Sequence, residues 1–207
     1  MAQNPKPLPK VKECLKTDCK NDLHCFRQKE RRRPHQVLKG QGCYECGAEL
    51  VDWDIVYARN IANAKETFDF MKKEWIRDRY WNKRIIGLTL DSARKIGKKG
   101  MIEAIEKRLK SSVGGEQPFS DGGQTPFEGN ILYYAQHATA CCCRKCIEYW
   151  HGIPAKKELT KNEITYMREL MLLYINERLP NLNEEAIKIP RKRSTRSTNG
   201  GQGVLEM

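Results

Sequence analysis

Residues 137–152 read HATACCCRKCIEYWHG, with Cys141, Cys142, Cys143 and Cys146 held between His137 and His151. Thiolates and imidazoles this closely spaced suit a transition metal, and a structural zinc takes four such donors in a tetrahedron. With 140–151 as one helix, Cys142 and Cys146 are four apart and Cys143 and Cys146 three apart, so the three share a face. Trp150 follows Cys146 by four and roofs the same side. His137 lies ahead of the helix, where a turn brings it back as the histidine of a Cys3His set. His151 falls about 140° round from Cys146 and is the weaker donor unless the helix unwinds at Gly152. Two other chemistries compete. A helix N-terminus lowers a thiol pKa and makes a nucleophile, and cysteines beside Trp150 also serve as small core residues. The histidines favour metal, because core thiols need no imidazole nearby.

A second set of donors lies at CYECG, residues 43–47. Cys43 and Cys46 reach one zinc from a tight turn, and Gly47 frees the backbone just after it. Cys14, Cys19, His24 and Cys25 offer the other two ligands. Cys19 with Cys25 is the preferred pair, giving Cys19, Cys25, Cys43 and Cys46. A structural role fits, since this segment is too polar to fold without help: residues 1–40 hold eleven Lys/Arg against four Asp/Glu. One zinc shared by Cys43, Cys46, Cys143 and Cys146 is an alternative, but about 100 residues separate its halves. The segment also resembles the opening of HNH nucleases, where a CxxC knuckle precedes a catalytic His. Here that place reads Asp52-Trp53-Asp54-Ile55, so the general base of such chemistry is missing.

The elements that must position these residues are helical. Phe68, Met71, Trp75 and Tyr80 form one apolar stripe from residue 63 onward, with Lys72, Lys73, Arg77 and Asp78 off it. A second helix fits 98–110, with Met101, Ile102, Ile105 and Leu109 inward. A Gly/Pro-rich loop spans 111–130. ILYYA, residues 131–135, has the pattern of a short buried strand. Thr139 is placed to cap the cysteine helix and Gly152 to end it. Thr160 and Glu163 form a capping box ahead of an amphipathic helix that stops at Pro180.

The 207-residue chain carries a formal net charge of +12. That surplus points to polyanionic partners, nucleic acid first. The candidate phosphate contacts are Arg31, Arg32 and Arg33 in KERRRPH, Lys98 and Lys99, and Arg191, Lys192 and Arg193 in the tail. No run approaches the roughly 20 apolar residues of a membrane helix, and the N-terminus lacks a signal-peptide pattern. A cytoplasmic location without membrane contact is expected. In that reducing setting, clustered cysteines favour metal over disulfides.

Residues 79–180 resemble a bacterial family known only as domain of unknown function four-one-eight-six. The resemblance rests on KKG (98–100), DGGQTP (121–126), YAQHAT (134–139), CCRKC (142–146) and EYWHGIP (148–154). The family implies no established activity. It does imply that Asp121, Gln124, His137, Cys142, Cys143, Cys146, Trp150 and His151 form one constellation. It also sets Cys141 aside, since a non-cysteine usually stands there. The N-terminal cysteine module lies outside the resemblance and has the look of an added zinc-binding extension.

The expected fold is mainly α with a short β element and a small ribbon- or knuckle-like zinc module at the N-terminus. Its divisions are a flexible arm at 1–11, the cysteine-rich module at 12–60, a helical core at 61–180 and a basic disordered tail at 181–207. The expected function is nucleic-acid binding through phosphate contacts by a protein stabilised by one or two Zn2+ ions. The alternatives are a metal-dependent hydrolase with His137, His151 and Asp121 as acid–base groups, and an adaptor for an acidic protein partner.

Overall fold

The fold is mainly helical, with a small cysteine-bearing module at its N-terminal end. The computed structural model describes residues 13–29, 37–38, 40–116 and 122–190. Strand is confined, among these residues, to one antiparallel ladder of β1 (Gln28–Lys29) on β2 (Val37–Leu38), with Gln28 opposite Leu38. None of the described helices is long and apolar enough to cross a membrane.

The first helix of the fold, α1 (Trp53–Ala58), starts where the Asp52 carboxylate accepts from the amides of Asp54 and Ile55. The stripe from Phe68 to Tyr80 is two helices, α2 (Ala64–Lys72) and α3 (Trp75–Asn82). The break has a physical cause. The N-terminal module enters there in extended form: the His24 amide donates to Lys73 O at 2.7 Å, and the Trp75 amide donates to His24 O at 2.9 Å. Arg77, expected off the apolar face, is instead fully buried on α3.

The expected helix at 98–110 is the second half of α4 (Gly87–Leu109), which bends at Gly97. Gly97 has φ +68°, and a Cβ there would stand 2.6 Å from Glu185 C. The chain beyond the last helix fills that notch. The Lys98 and Lys99 amides donate to Asn183 O and Glu184 O, and the Ile187 amide donates to Arg94 O. Residues 183–187, expected to lie in a loose tail, thus bond to α4. Met101, Ile105 and Leu109 face the core as expected, whereas Ile102 is exposed.

ILYYA is helical, not extended: it opens α5 (Ile131–Ala138), where the Asn130 side chain accepts from the Leu132 amide at 2.8 Å. Thr139, expected to cap the next helix, closes this one by bonding back to Ala135 O. The cysteine helix α6 (Arg144–His151) therefore starts later than expected. Ala140 has φ +57°, the chain turns, and Cys143 stands at the N-cap in extended conformation. Gly152 ends α6 in the left-handed region, as expected. The last helix, α7 (Lys161–Arg178), carries the full Thr160–Glu163 capping box. Helix α3 packs on α5, and α7 lies across α4 and α5, so the turn leading into α6 sits against the buried face of α3.

Candidate metal centres

The structure gathers donors into two separate groups, Cys19–His24–Cys43–Cys46 and Cys142–Cys143–Cys146. In each, the donor atoms all lie within 4.8 Å of one another. Cys43 and Cys46 do not join Cys143 and Cys146, so the shared-ion alternative does not describe this fold.

The first group is built from two tight turns. Cys19 opens a single 3-10 turn, Cys19–Asn21, which ends in left-handed Asp22 and returns the chain through the Asp18–Leu23 bridge to His24. The CYECG turn closes when the Gly47 amide donates to Cys43 O at 2.8 Å. Cys19 Sγ lies 3.9 Å from Cys43 Sγ, and Cys46 Sγ lies 3.4 Å from His24 Nδ1. A tetrahedral ion with bonds of about 2.3 Å to sulfur and 2.0–2.1 Å to nitrogen sets these edges near 3.8 and 3.6 Å. His24 Nε2 is 3.2 Å from Asp22 Oδ1, which fixes the ring and leaves Nδ1 to face the sulfurs. Asp22 is in turn paired with Lys73. Burial disfavours the Cys43 thiolate, yet the backbone of Cys25, Cys46 and Glu45 and the His24 ring outweigh it and hold the thiol at about 6. Burial and the neighbouring sulfurs push Cys19 the other way, to about 12.

Cys25 does not belong to this group, contrary to expectation. It follows His24 in extended chain, so its side chain points to the opposite side, and its buried Sγ donates to Cys14 O at 3.3 Å. His24 takes the place that spacing assigned to Cys25.

The second group is wholly inside the protein. Cys142 and Cys143 come from the turn ahead of α6 and Cys146 from its first turn. The sulfurs therefore converge from a bend rather than along one helical face. Arg77 reaches them from α3, donating from Nη2 to Cys146 Sγ at 3.1 Å and from Nη1 to Cys142 Sγ at 3.6 Å. The same guanidinium donates to His137 O at 2.5 Å and to Glu74 Oε2 at 2.9 Å. Glu74 also receives the Trp150 indole N–H at 2.8 Å and the Tyr149 hydroxyl. Trp150 meets the group through this carboxylate, packed against Phe26 and Trp53. Hydrogen bonds from the thiols of Cys14, Cys142 and Cys143 draw Cys146 well below the usual thiol range, against burial and with help from Arg77. Cys142 and Cys143 thus gather close about the Cys146 sulfur. Full burial leaves it no route to a substrate, so the nucleophile alternative has no support.

Two expected participants, His137 and His151, lie elsewhere. His137 is stacked between Tyr80 and Phe127, and its Nε2 is 3.2 Å from Pro126 O. His151 Nε2 is 3.0 Å from Thr139 O. Both rings are buried, and burial together with the Arg77 charge lowers them to about 3 and about 4, so they stand neutral. Neither ring joins the three-cysteine group, and the Nδ1 of each is buried without a hydrogen-bond partner. Cys141 donates to Thr139 O and stays out of the group, as the resemblance implied. Asp121, Arg31, Arg32, Arg33, Arg191, Lys192 and Arg193 lie outside the described residues. Lys98 and Lys99 are paired with Glu184 and Glu185, which weakens them as phosphate contacts.

Sequence reasoning missed the polar frame of the second group. Thr125 of DGGQTP lies 2.8 Å from Cys142 O. Gln136 of YAQHAT donates to Cys141 O and accepts from Arg108. Arg144 of CCRKC donates to the carbonyls of Val113, Pro154, Ala155 and Lys157. A signal for Glu74 and Arg77 was present: opposite charges at i and i+3 flank Trp75 and Ile76 within an apolar stripe.

No solved structure matches the chain. A family model described as domain of unknown function (DUF4186) matches residues 65–176, which include α3 to α6, nearly all of α2 and α7 and the three-cysteine group but not the N-terminal module. With more than half of its length matched, the chain belongs to that family.

Proposed function

We propose that this protein is a zinc-stabilised binding protein, with Zn2+ held at each of the two sulfur groups, and that its ligand is nucleic acid, gripped mainly through phosphates. The observation that carries the metal reading is the agreement of the 3.9 Å S···S and 3.4 Å S···N edges with a closed zinc tetrahedron in the first group. A closed four-donor set with no position left for water or substrate is structural in character. What supports nucleic acid is the net charge of +12. KERRRPH and RKRSTR concentrate much of that charge in two short stretches of the sequence. The hydrolase alternative has less behind it, because His137 and His151 are buried in the core, each with its Nε2 against a backbone carbonyl, and neither joins the three-cysteine group.

The test is anisotropy titration of labelled duplex and single-stranded oligonucleotides at rising salt. Binding through six or more phosphates predicts affinity falling by about three orders of magnitude or more between 50 and 200 mM salt. Absence of binding at low salt, or affinity indifferent to salt, overturns the nucleic-acid reading. Elemental analysis tests the metal separately: two zinc per chain, falling to one in Cys46→Ser and in Cys146→Ser.

A further inference from the structure

The end of α7 and the segment after it close a pocket against the first half of α4. The pocket has a volume of about 300 Å3 and is lined by Leu90 and Arg94 of α4 and by residues 178–183. Hydrogen bonds fix its walls. The Leu182 amide donates to Leu179 O at 3.1 Å, the Asn183 side chain donates to Arg94 O at 2.9 Å, and the Lys98 amide donates to Asn183 O at 2.9 Å. Leu90, Leu179, Pro180 and buried Leu182 give it an apolar side. Two guanidiniums, Arg94 and Arg178, share the lining with no carboxylate. The acidic residues that flank the turn are engaged elsewhere: Glu177 with Lys72, Glu184 with Lys98 and Glu185 with Lys99. Arg178 Nη2 donates to Lys83 O at 2.8 Å, while its Nε is buried with no hydrogen-bond partner. A buried donor without an acceptor is costly and calls for an explanation.

We propose that this pocket binds a phosphate monoester, with Arg94 and Arg178 on the phosphate and the organic part of the ester against the leucines and Pro180. Above its second pKa of about 6 such a phosphate carries close to two negative charges, which two guanidiniums match. Guanidinium N–H groups meet phosphate oxygens in pairs, a geometry that suits arginine better than lysine. A concave apolar wall with a few convergent polar groups is the usual form of a small-ligand site, and the volume falls at the lower end of the roughly 300–1,000 Å3 such sites span. None of the lining residues is a donor in either sulfur group. Neither the metal nor the nucleic-acid reading is needed for this site. Leu90 and Arg94 lie within the family match, whereas residues 178–183 lie beyond its end at 176.

The experiment is calorimetric titration of the full-length chain with phenyl phosphate in phosphate-free buffer at moderate salt. Wild type is expected to bind one equivalent saturably, inorganic phosphate more weakly, and phenol not at all. Arg94→Gln and Arg178→Gln should each weaken phenyl phosphate by about tenfold or more, the worth of one hydrogen bond to a charged group. Because Arg178 also holds Lys83 O, its variant can loosen the fold. Arg94 is exposed and bonds outside its helix only through its carbonyl among the described residues, so Arg94→Gln reads the site with the fold intact. Lys107→Gln, at an exposed lysine of α4 beyond the Gly97 bend, is the control and should bind like wild type. Competition by a 5′-phosphorylated oligonucleotide and not by its 5′-hydroxyl counterpart assigns the monoester to a nucleic-acid end; absence of competition by either assigns it to a small free ester. No saturable binding, or wild-type affinity in Arg94→Gln, overturns the proposal. So does a loss in Lys107→Gln equal to that in Arg94→Gln, which would show general attraction to a basic surface.

Discussion

Arg77→Met places the heaviest demand on the account of the second group. The guanidinium is fully buried and donates to Glu74, His137 O and the sulfurs of Cys142 and Cys146. Burial opposes its charge, and the Cys146 thiolate and Glu74 carboxylate more than compensate, so it stays a cation. Methionine fills similar space but leaves Glu74 with the Tyr149 and Trp150 donors and no counter-charge. Breaking one partner out of such a pair costs about 3–5 kcal/mol. For a chain of this length each kcal/mol moves Tm by about 2–4 °C, so the melting point should fall by roughly 6–20 °C. In Glu74→Gln/Arg77→Met both charges are gone, and the remaining cost is the lost donors to His137 O and sulfur, about 1–3 kcal/mol. The double variant should therefore melt above the single Arg77→Met variant. Thermal unfolding of zinc-saturated wild type, both single variants and the double variant measures this cycle. An Arg77→Met protein that melts within about 2 °C of wild type would refute the reasoning, as would strictly additive effects.

Three further outcomes follow from other parts of the fold. Gly97→Ala forces a side chain into a left-handed position 2.6 Å from Glu185 C, so it should cost more than about 1 kcal/mol and expose residues 181–190 to protease; a neutral effect in urea melts would contradict the notch. His137 and His151 are depressed by burial to about 3 and about 4, so the folded state holds them neutral while an unfolded chain protonates them below about 6.5. Their contribution is complete above that pH and lost on acidification, roughly 2 kcal/mol each by pH 5. His137→Phe, which keeps the stack with Tyr80 and Phe127, should reduce the stability lost between pH 7 and pH 5, and an unchanged pH profile would count against it. Thr160→Ala removes the acceptor for the Glu163 amide at 3.2 Å and should cost about 0.5–2 kcal/mol by chemical denaturation; no change would mean the box adds nothing.

Features governed by a few neighbouring residues could be read from the sequence. The Thr160–Glu163 box, the left-handed stop at Gly152 and the CYECG turn each depend on residues within four positions, and each formed as expected. ILYYA was misread because a fully buried helix has no polar face to reveal its period, and a short apolar run fits a strand equally well. What decided the matter was Asn130 capping the amide of Leu132. The split between α2 and α3 has no local cause, since the carbonyl and amide that break the helix bond to His24, fifty residues earlier. The ligand sets follow the same division. Cys43 and Cys46 were legible as a pair from their own turn. The choice of His24 over Cys25 depends on which side of an extended segment faces the knuckle, and that is set by tertiary packing.

Alternation along an extended segment explains why His24 joins the first group and its neighbour Cys25 does not. From His24 to Phe26 successive side chains point to opposite sides. His24 faces Cys46, and Cys25 faces the Cys14 turn beside the other group. Phe26 returns to the His24 side and meets Trp53 and Trp150. One extended segment therefore serves the first sulfur group and an aromatic cluster, while its backbone is fastened to Lys73 and Trp75 between two helices of the family domain. Shifting this segment by one residue would exchange the histidine and cysteine faces and take His24 out of the first group. Its register is consequently fixed from both sides, by the donors it presents and by the helix break it occupies. A module with little apolar surface of its own thus takes its order from the domain beside it as well as from any cation it holds.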